Sequence, residues 1–217
     1  LLVTPVVAEN IQSYEADLQV KKSGVLEVKE IILYNFGDEF RHGIYRDIPY
    51  LYKKGWGRYA LKIENIQIKD ASGNSQPFTT VKTGKDFRIK IGDPDVLLRG
   101  ERTYSLSYTV SGAAEALVEY DQINWNAIPA GWTVPINRAE VKIRLEKELA
   151  SRLVNIKCFV GAVGSTEICE GAAVSDDYYL FIAENFNPRE GMTAKMEFQS
   201  GTFPAPSSLD NFLNVVR

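Results

Sequence analysis

The chain has 217 residues, 45% of them hydrophobic and 24% charged, with a formal net charge of −3. That length suits one large β domain or two small ones, and the apolar content excludes a disordered chain. The balance of charge offers no global attraction to nucleic acid or to an anionic lipid surface.

Residues 1–8 open with Leu1-Leu2-Val3 and Val6-Val7-Ala8. They read either as the tail of a signal-peptide apolar region, with Val6 and Ala8 at the small-residue cleavage positions, or as a first strand. No stretch is long and apolar enough to span a bilayer as a helix. From Ile11 the pattern has period two. Tyr14, Ala16, Leu18 and Val20 fall on one face, and Glu15, Asp17 and Gln19 on the other. Lys22-Ser23-Gly24 supplies a turn, and Leu26, Val28, Ile32 and Tyr34 continue as the hairpin partner.

Phe36-Gly37-Asp38 breaks the pattern ahead of Phe40–Pro49, FRHGIYRDIP. This stretch holds the only histidine, two arginines, an aspartate and a closing proline. A strand through it would place Ile44, Arg46 and Ile48 on one face and Tyr45, Asp47 and Pro49 on the other. Arg46 then lies on the core side, where an unpaired guanidinium costs several kcal/mol, so it needs a carboxylate. Asp93 and Asp95 in the Gly92-Asp93-Pro94-Asp95 turn are the expected partners. Such a pair is first a structural latch. The functional alternative makes Arg41, His42, Tyr45 and Arg46 a surface that contacts an anion or a sugar. His42 has no sequence-near nucleophile, which argues against catalysis. Asp93-x-Asp95 resembles a fragment of a calcium loop but lacks the other ligands.

An aromatic, lysine-rich loop follows, with Tyr50, Tyr52 and Trp56 among Lys53, Lys54 and Arg58, a composition able to stack on bases or sugars. Leu61, Ile63, Ile66 and Ile68 mark a strand whose parity slips between Ile63 and Ile66, predicting a β-bulge. Phe78–Val81 and Phe87–Ile91 form a further hairpin, and Tyr104, Leu106, Tyr108 and Val110 alternate cleanly. Ala113–Tyr120, alanine- and glutamate-rich after Gly112, is the candidate interior helix. Trp125-Asn126, the run from Gly131 to Ile136, and strands through Val141–Leu145, Ile156–Val160, Tyr178–Ala183 and Met192–Phe198 complete the pattern. Many short strands with no βαβ rhythm predict an all-β, antiparallel β-sandwich, immunoglobulin-like or related and elaborated. Residues 9–203 are assigned to it, either undivided or as two packed lobes dividing near 112–122. Residues 204–217 read as a proline-marked linker and a short helix with Leu209, Phe212, Leu213 and Val216 on one face.

Cys158 and Cys169 are the only cysteines. Their spacing suits a loop closed by a disulfide contributing roughly 2–3 kcal/mol, or two reduced thiols in a reducing compartment. With one histidine they build no ordinary zinc site without carboxylates, and no cofactor is expected.

The stretch YNFGDEFRHGIYRDIP from Tyr34 resembles the DUF2207 family of predicted membrane proteins. So do IGDPD from Ile91, TYSLSYTVSGA from Thr103, Trp125-Asn126 and GWTVPI from Gly131. The likeness keeps the motif order over nearly the whole chain, including Cys158, Cys169 and Gly201-Thr202-Phe203. It implies a signal peptide, a domain outside the membrane, then transmembrane helices and a cytoplasmic end. It implies no catalytic residues. Under it the disulfide and the exported location are expected, the tail becomes the approach to a membrane span, and the partner at hand is the protein's own membrane-spanning region. The resulting expectation is a non-enzymatic extracytoplasmic binding domain for an envelope protein or glycan. Arg41, His42, Tyr45, Arg46, Asp47, Asp93, Asp95 and Trp125 form its candidate patch. The alternatives are an envelope-polymer hydrolase using His42 and nearby aspartates, and a purely architectural module.

Overall fold

The computed structural model describes residues 8–54 and 57–204. The alternating sequence becomes strand almost throughout. β1 (Asn10–Val20) and β2 (Leu26–Asn35) form the opening hairpin, and β3 (Gly43–Pro49) carries the central stretch. β4 (Leu51–Lys54) and β5 (Gly57–Ala60) make a small hairpin, followed by β6 (Lys62–Lys69), β7 (Phe78–Thr83) and β8 (Asp86–Gly92). β9 (Glu101–Ser111), β10 (Ala114–Ala116), β11 (Tyr120–Ile128) and β12 (Ile136–Leu145) lead to a one-turn helix, α1 (Lys147–Ala150). The chain ends in β13 (Leu153–Ala162), β14 (Glu167–Ile168), β15 (Glu170–Ser175), β16 (Tyr178–Phe186) and β17 (Glu190–Gln199).

Seven strands form the largest sheet in the order β15-β16-β12-β1-β2-β9-β6, and five form a second in the order β10-β11-β17-β13-β14. A three-stranded sheet, β3-β8-β7, stands apart, as does the β4-β5 hairpin. All pairings are antiparallel except β1 with β12. Period-two alternation sends Tyr14, Ala16, Leu18 and Val20 into the core, where Val28, Ile32, Leu106, Val141 and Ile143 join them. Ile123, Trp125, Met196 and Phe198 face them from the five-stranded sheet and belong to the same buried cluster. The result is an all-β sandwich in which one broad sheet is covered by two smaller ones.

The predicted turn at Lys22–Gly24 is present, with Gly24 at φ +81° and its N–H bonded to the Lys21 carbonyl at 2.8 Å. The expected bulge in β6 falls between Glu64 and Gln67, with Asn65 at φ +56°. The candidate helix at Ala113–Tyr120 is instead a β-hairpin. Ala114–Ala116 pair with Asp121–Ile123, and the Leu117 N–H closes the turn on the Tyr120 carbonyl. Eight residues are too few to offset helix nucleation, whereas the edge of β11 offers ready hydrogen bonds. The interior helix is α1, a single turn between β12 and β13. Trp56, residues 1–7 and the tail-helix positions lie outside the described residues.

Candidate functional site

The central stretch enters β3 through a glycine pair. Gly43 lies opposite Gly92 in the β3–β8 ladder, and a Cβ on either would stand within 2 Å of a carbonyl oxygen: 1.8 Å from that of Ile91, or 1.9 Å from that of His42. Both have positive φ, +144° and +133°. Glycine in each motif therefore lets the two segments approach to a separation that no side chain permits.

Beyond Gly43 the alternation buries Ile44, Arg46 and Ile48. Arg46 is fully enclosed. Its Nε donates to Glu30 Oε2 at 2.8 Å and its Nη2 to Glu30 Oε1 at 2.7 Å, a bidentate pair. Nη1 donates to the carbonyl of Asp47. Glu30, equally enclosed, also accepts from the Tyr14 hydroxyl at 2.7 Å and the Tyr108 hydroxyl at 2.6 Å. Burial disfavours the Arg46 charge, but the Glu30 carboxylate together with the Tyr14 and Tyr108 oxygens more than offsets it and raises the guanidinium further above its ordinary value. Burial, reinforced by the Glu30 charge, holds both tyrosines well above theirs, so they remain hydroxyl donors.

The latch exists, but its carboxylate is Glu30 rather than Asp93 or Asp95. Arg46 stands opposite Ile89, three residues along β8 from Gly92, and points to the inner face, away from the turn. Asp93 instead accepts the Asp95 N–H at 2.9 Å and shapes its own turn. A sequence signal for Glu30 did exist. It interrupts the series Leu26, Val28, Ile32, Tyr34 at a position in phase with the core.

The other face of the stretch is exposed. Asp47 makes a bidentate pair with Arg88, both bonds at 2.7 Å. The Arg88 guanidinium lies 4.8 Å from the Tyr45 ring centroid. Arg41 pairs with Glu9 and Glu39, each at 3.2 Å, and bridges in strand fashion to Leu98. His42 Nδ1 lies 3.1 Å from the Val96 carbonyl oxygen. Phe40, Val96 and Leu97 leave about half their surface open at this end. The structure thus gathers Arg41, His42 and the turn bearing Asp93 and Asp95 at one end of the sandwich, with Tyr45 and Asp47 alongside. Trp125 is elsewhere, buried on β11. The Asp47 carboxylate is held by Arg88, and one oxygen of Asp93 accepts the Asp95 N–H. Among the described residues, no three His, Cys, Asp or Glu side chains group closely enough to hold a metal ion.

Cys158 and Cys169 are joined by a disulfide. Cys169 sits between β14, on the edge of the five-stranded sheet, and β15, on the edge of the seven-stranded one. The bridge therefore fastens the place where the chain passes from one sheet to the other.

The model of the family described as "Predicted membrane protein (DUF2207) N-terminal domain" matches residues 10–198. The chain belongs to the DUF2207 family. The glycine pair and the Arg46 strand lie inside that match. The uncharacterized protein YciQ of Escherichia coli (strain K12) is 25% identical to this DUF2207 domain over 164 residues, 75% of this chain and 26% of YciQ. The chain thus spans about a quarter of that relative's length. Among solved structures, native yeast LTA4 hydrolase superposes with a TM-score of 0.51 at 11% identity, covering 86% of this chain and 29% of the hydrolase. Its complex with bestatin gives 0.51 at 10% identity, covering 86% and 28%. At such identity the likeness is one of fold alone.

Proposed function

We propose that this DUF2207 domain is a non-enzymatic recognition module on the extracytoplasmic side of a membrane-anchored protein. The observation that carries the location is the Cys158–Cys169 disulfide, since such bonds form and persist in oxidising compartments. The absence of catalysis rests on what the charged groups do. Arg46 and Glu30 join two layers of the sandwich, and Asp47 is held by Arg88.

The geometry supports an orientation as well. Phe203 packs on Phe198 at 5.0 Å, beside the Gly24 turn, and its N–H bonds to Asp121. Arg41 and Leu98 lie near Glu9 and Asn35, at the opposite end of β1. Eleven residues of strand separate the two ends by roughly 35 Å. With residues 9–203 as the domain and 204–217 leading to the membrane-spanning part, the Arg41–His42 segment and the Gly92–Asp95 turn face away from the bilayer, towards envelope partners.

Topology tests this reading. A Ser72→Cys variant of the full-length protein places a reactive thiol on an exposed turn. A membrane-impermeant maleimide should label it in osmotically stabilised cells stripped of any outer envelope. Labelling that requires lysis puts the domain in the cytoplasm and ends the proposal.

A further inference from the structure

The two smaller sheets that share the inner face of the large one do not hydrogen-bond to each other. A seam is left between them. On one side stand Pro49 and Tyr52, at the end of β3 and the start of the β4-β5 hairpin. On the other runs β11, which β10 covers only as far as Ile123, so that Asn124 to Asn126 form an open edge. Two cavities adjoin here, of about 100 and about 450 Å³, with Tyr52 and Asn124 lining both. The larger continues over Phe159 and Thr193 to the loop ending at Ser165. Its volume lies within the roughly 300–1,000 Å³ typical of small-molecule sites.

The chemistry of the lining is distinctive. Tyr52 and Tyr59 stack at 5.4 Å with planes 20° apart. Tyr52 is anchored through its hydroxyl to the Pro49 carbonyl, and Tyr59 through its hydroxyl to Glu115. Glu115 also accepts from Gln122 at 2.8 Å, so its charge is already answered by donors. Among the described residues, the side chains of Asn124, Asn126 and Thr193 make no hydrogen bond within the protein. Trp125, 2% exposed, lines the smaller cavity, and its indole N–H has no acceptor. That N–H is enclosed, like the unpartnered Tyr104 hydroxyl and Trp132 N–H, so Trp125 serves as a wall of the smaller cavity beside the open amides. No Lys or Arg among the described residues lines either cavity. The groove therefore gives an anion no counter-charge. It offers amides and a hydroxyl that both donate and accept, beside an aromatic face that favours electropositive C–H groups.

We propose that this seam binds a neutral saccharide, a short stretch of a glycan chain whose hydroxyls pair with Asn124, Asn126 and Thr193 while a ring face lies on Tyr52. The assignment rests on the recognition role above, because envelope glycans are what an extracytoplasmic module of this kind meets.

The purified 217-residue domain is titrated with maltotetraose, cellotetraose and the tetramer of N-acetylglucosamine, each to about 10 mM, and followed by NMR. The Trp125 indole resonance is assigned by its disappearance in Trp125→Phe. At least one tetrasaccharide should shift it with a Kd of about 1 mM or tighter. Tyr52→Ala and Asn124→Ala should each weaken binding about tenfold or more. Asn124 is exposed, so its variant should keep the wild-type melting temperature and separate lost binding from lost structure. If no tetrasaccharide moves the resonance, or if binding survives both substitutions, the saccharide site is refuted. The assay is blind to membrane topology. Failure here with successful maleimide labelling removes only the saccharide assignment, and the reverse result removes only the location.

Discussion

The Arg46 latch and the β11 seam are opposites in chemistry and in visibility. Arg46 and Glu30 carry full charges, lie at 0% exposure, and direct every bond within their network to groups of this chain. Asn124, Asn126 and Tyr52 are ordinary residues in an ordinary pattern, yet their groove is open and its amides uncommitted. The difference teaches that a charge standing out on a core-facing position first measures how much the fold must enclose. A buried ion needs its partners within the protein, so it has nothing left to offer a ligand. Recognition falls to polar groups that can wait in water at little cost.

The sharpest way to break this contrast is to remove one half of the latch. Arg46→Met should cost about 3–5 kcal/mol in chemical denaturation, because Glu30 is left as an unanswered buried charge. Adding Glu30→Met, Tyr14→Phe and Tyr108→Phe should recover much of that loss. No recovery would mean that the network contributes more than charge neutralisation. Replacing both Cys158 and Cys169 by serine should lower stability by about 2–3 kcal/mol, measured against wild type under non-reducing conditions.

Alkaline pH probes the same latch without mutation. Native Tyr14 and Tyr108 hold their protons well above the ordinary tyrosine value of 10.0, to which they return on unfolding. Their contribution is therefore complete below about pH 10 and falls as pH climbs towards the raised native values. Denaturation midpoints should decline from about pH 10 upward, and less steeply in the Tyr14→Phe, Tyr108→Phe double variant. At the small end stands the outer face of the large sheet, where Arg144 pairs with Asp17 and Lys142 with Glu15, all partly exposed. Arg144→Ala should change stability by about 1 kcal/mol or less. A loss matching that of Arg46→Met would erase the distinction between enclosed and open ion pairs.

Much of the fold was legible because strand alternation is a local signal. The faces of β1, β3, β8 and β9 follow directly from residue parity, and so does the bulge near Asn65. The burial of Arg46 and its need for a carboxylate were legible for the same reason. The identity of that carboxylate was not. Glu30 and Arg46 meet because β3 lies across β2 from another sheet, a relation that no spacing along the chain encodes. Ala113–Tyr120 misled because its composition favours helix while a neighbouring strand edge offered a better set of hydrogen bonds.

The sequence by itself determined the all-β class, the inward phase of Arg46 and the family, because parity, composition and motif order are properties of the chain alone. Only the tertiary structure decided which acid answers Arg46, that Cys158 and Cys169 fasten the passage between two sheets, and that Tyr52 and Asn124 border one groove. Those outcomes depend on how separate sheets stack. Stacking is set by the summed burial of many side chains, and no single stretch of sequence carries that sum.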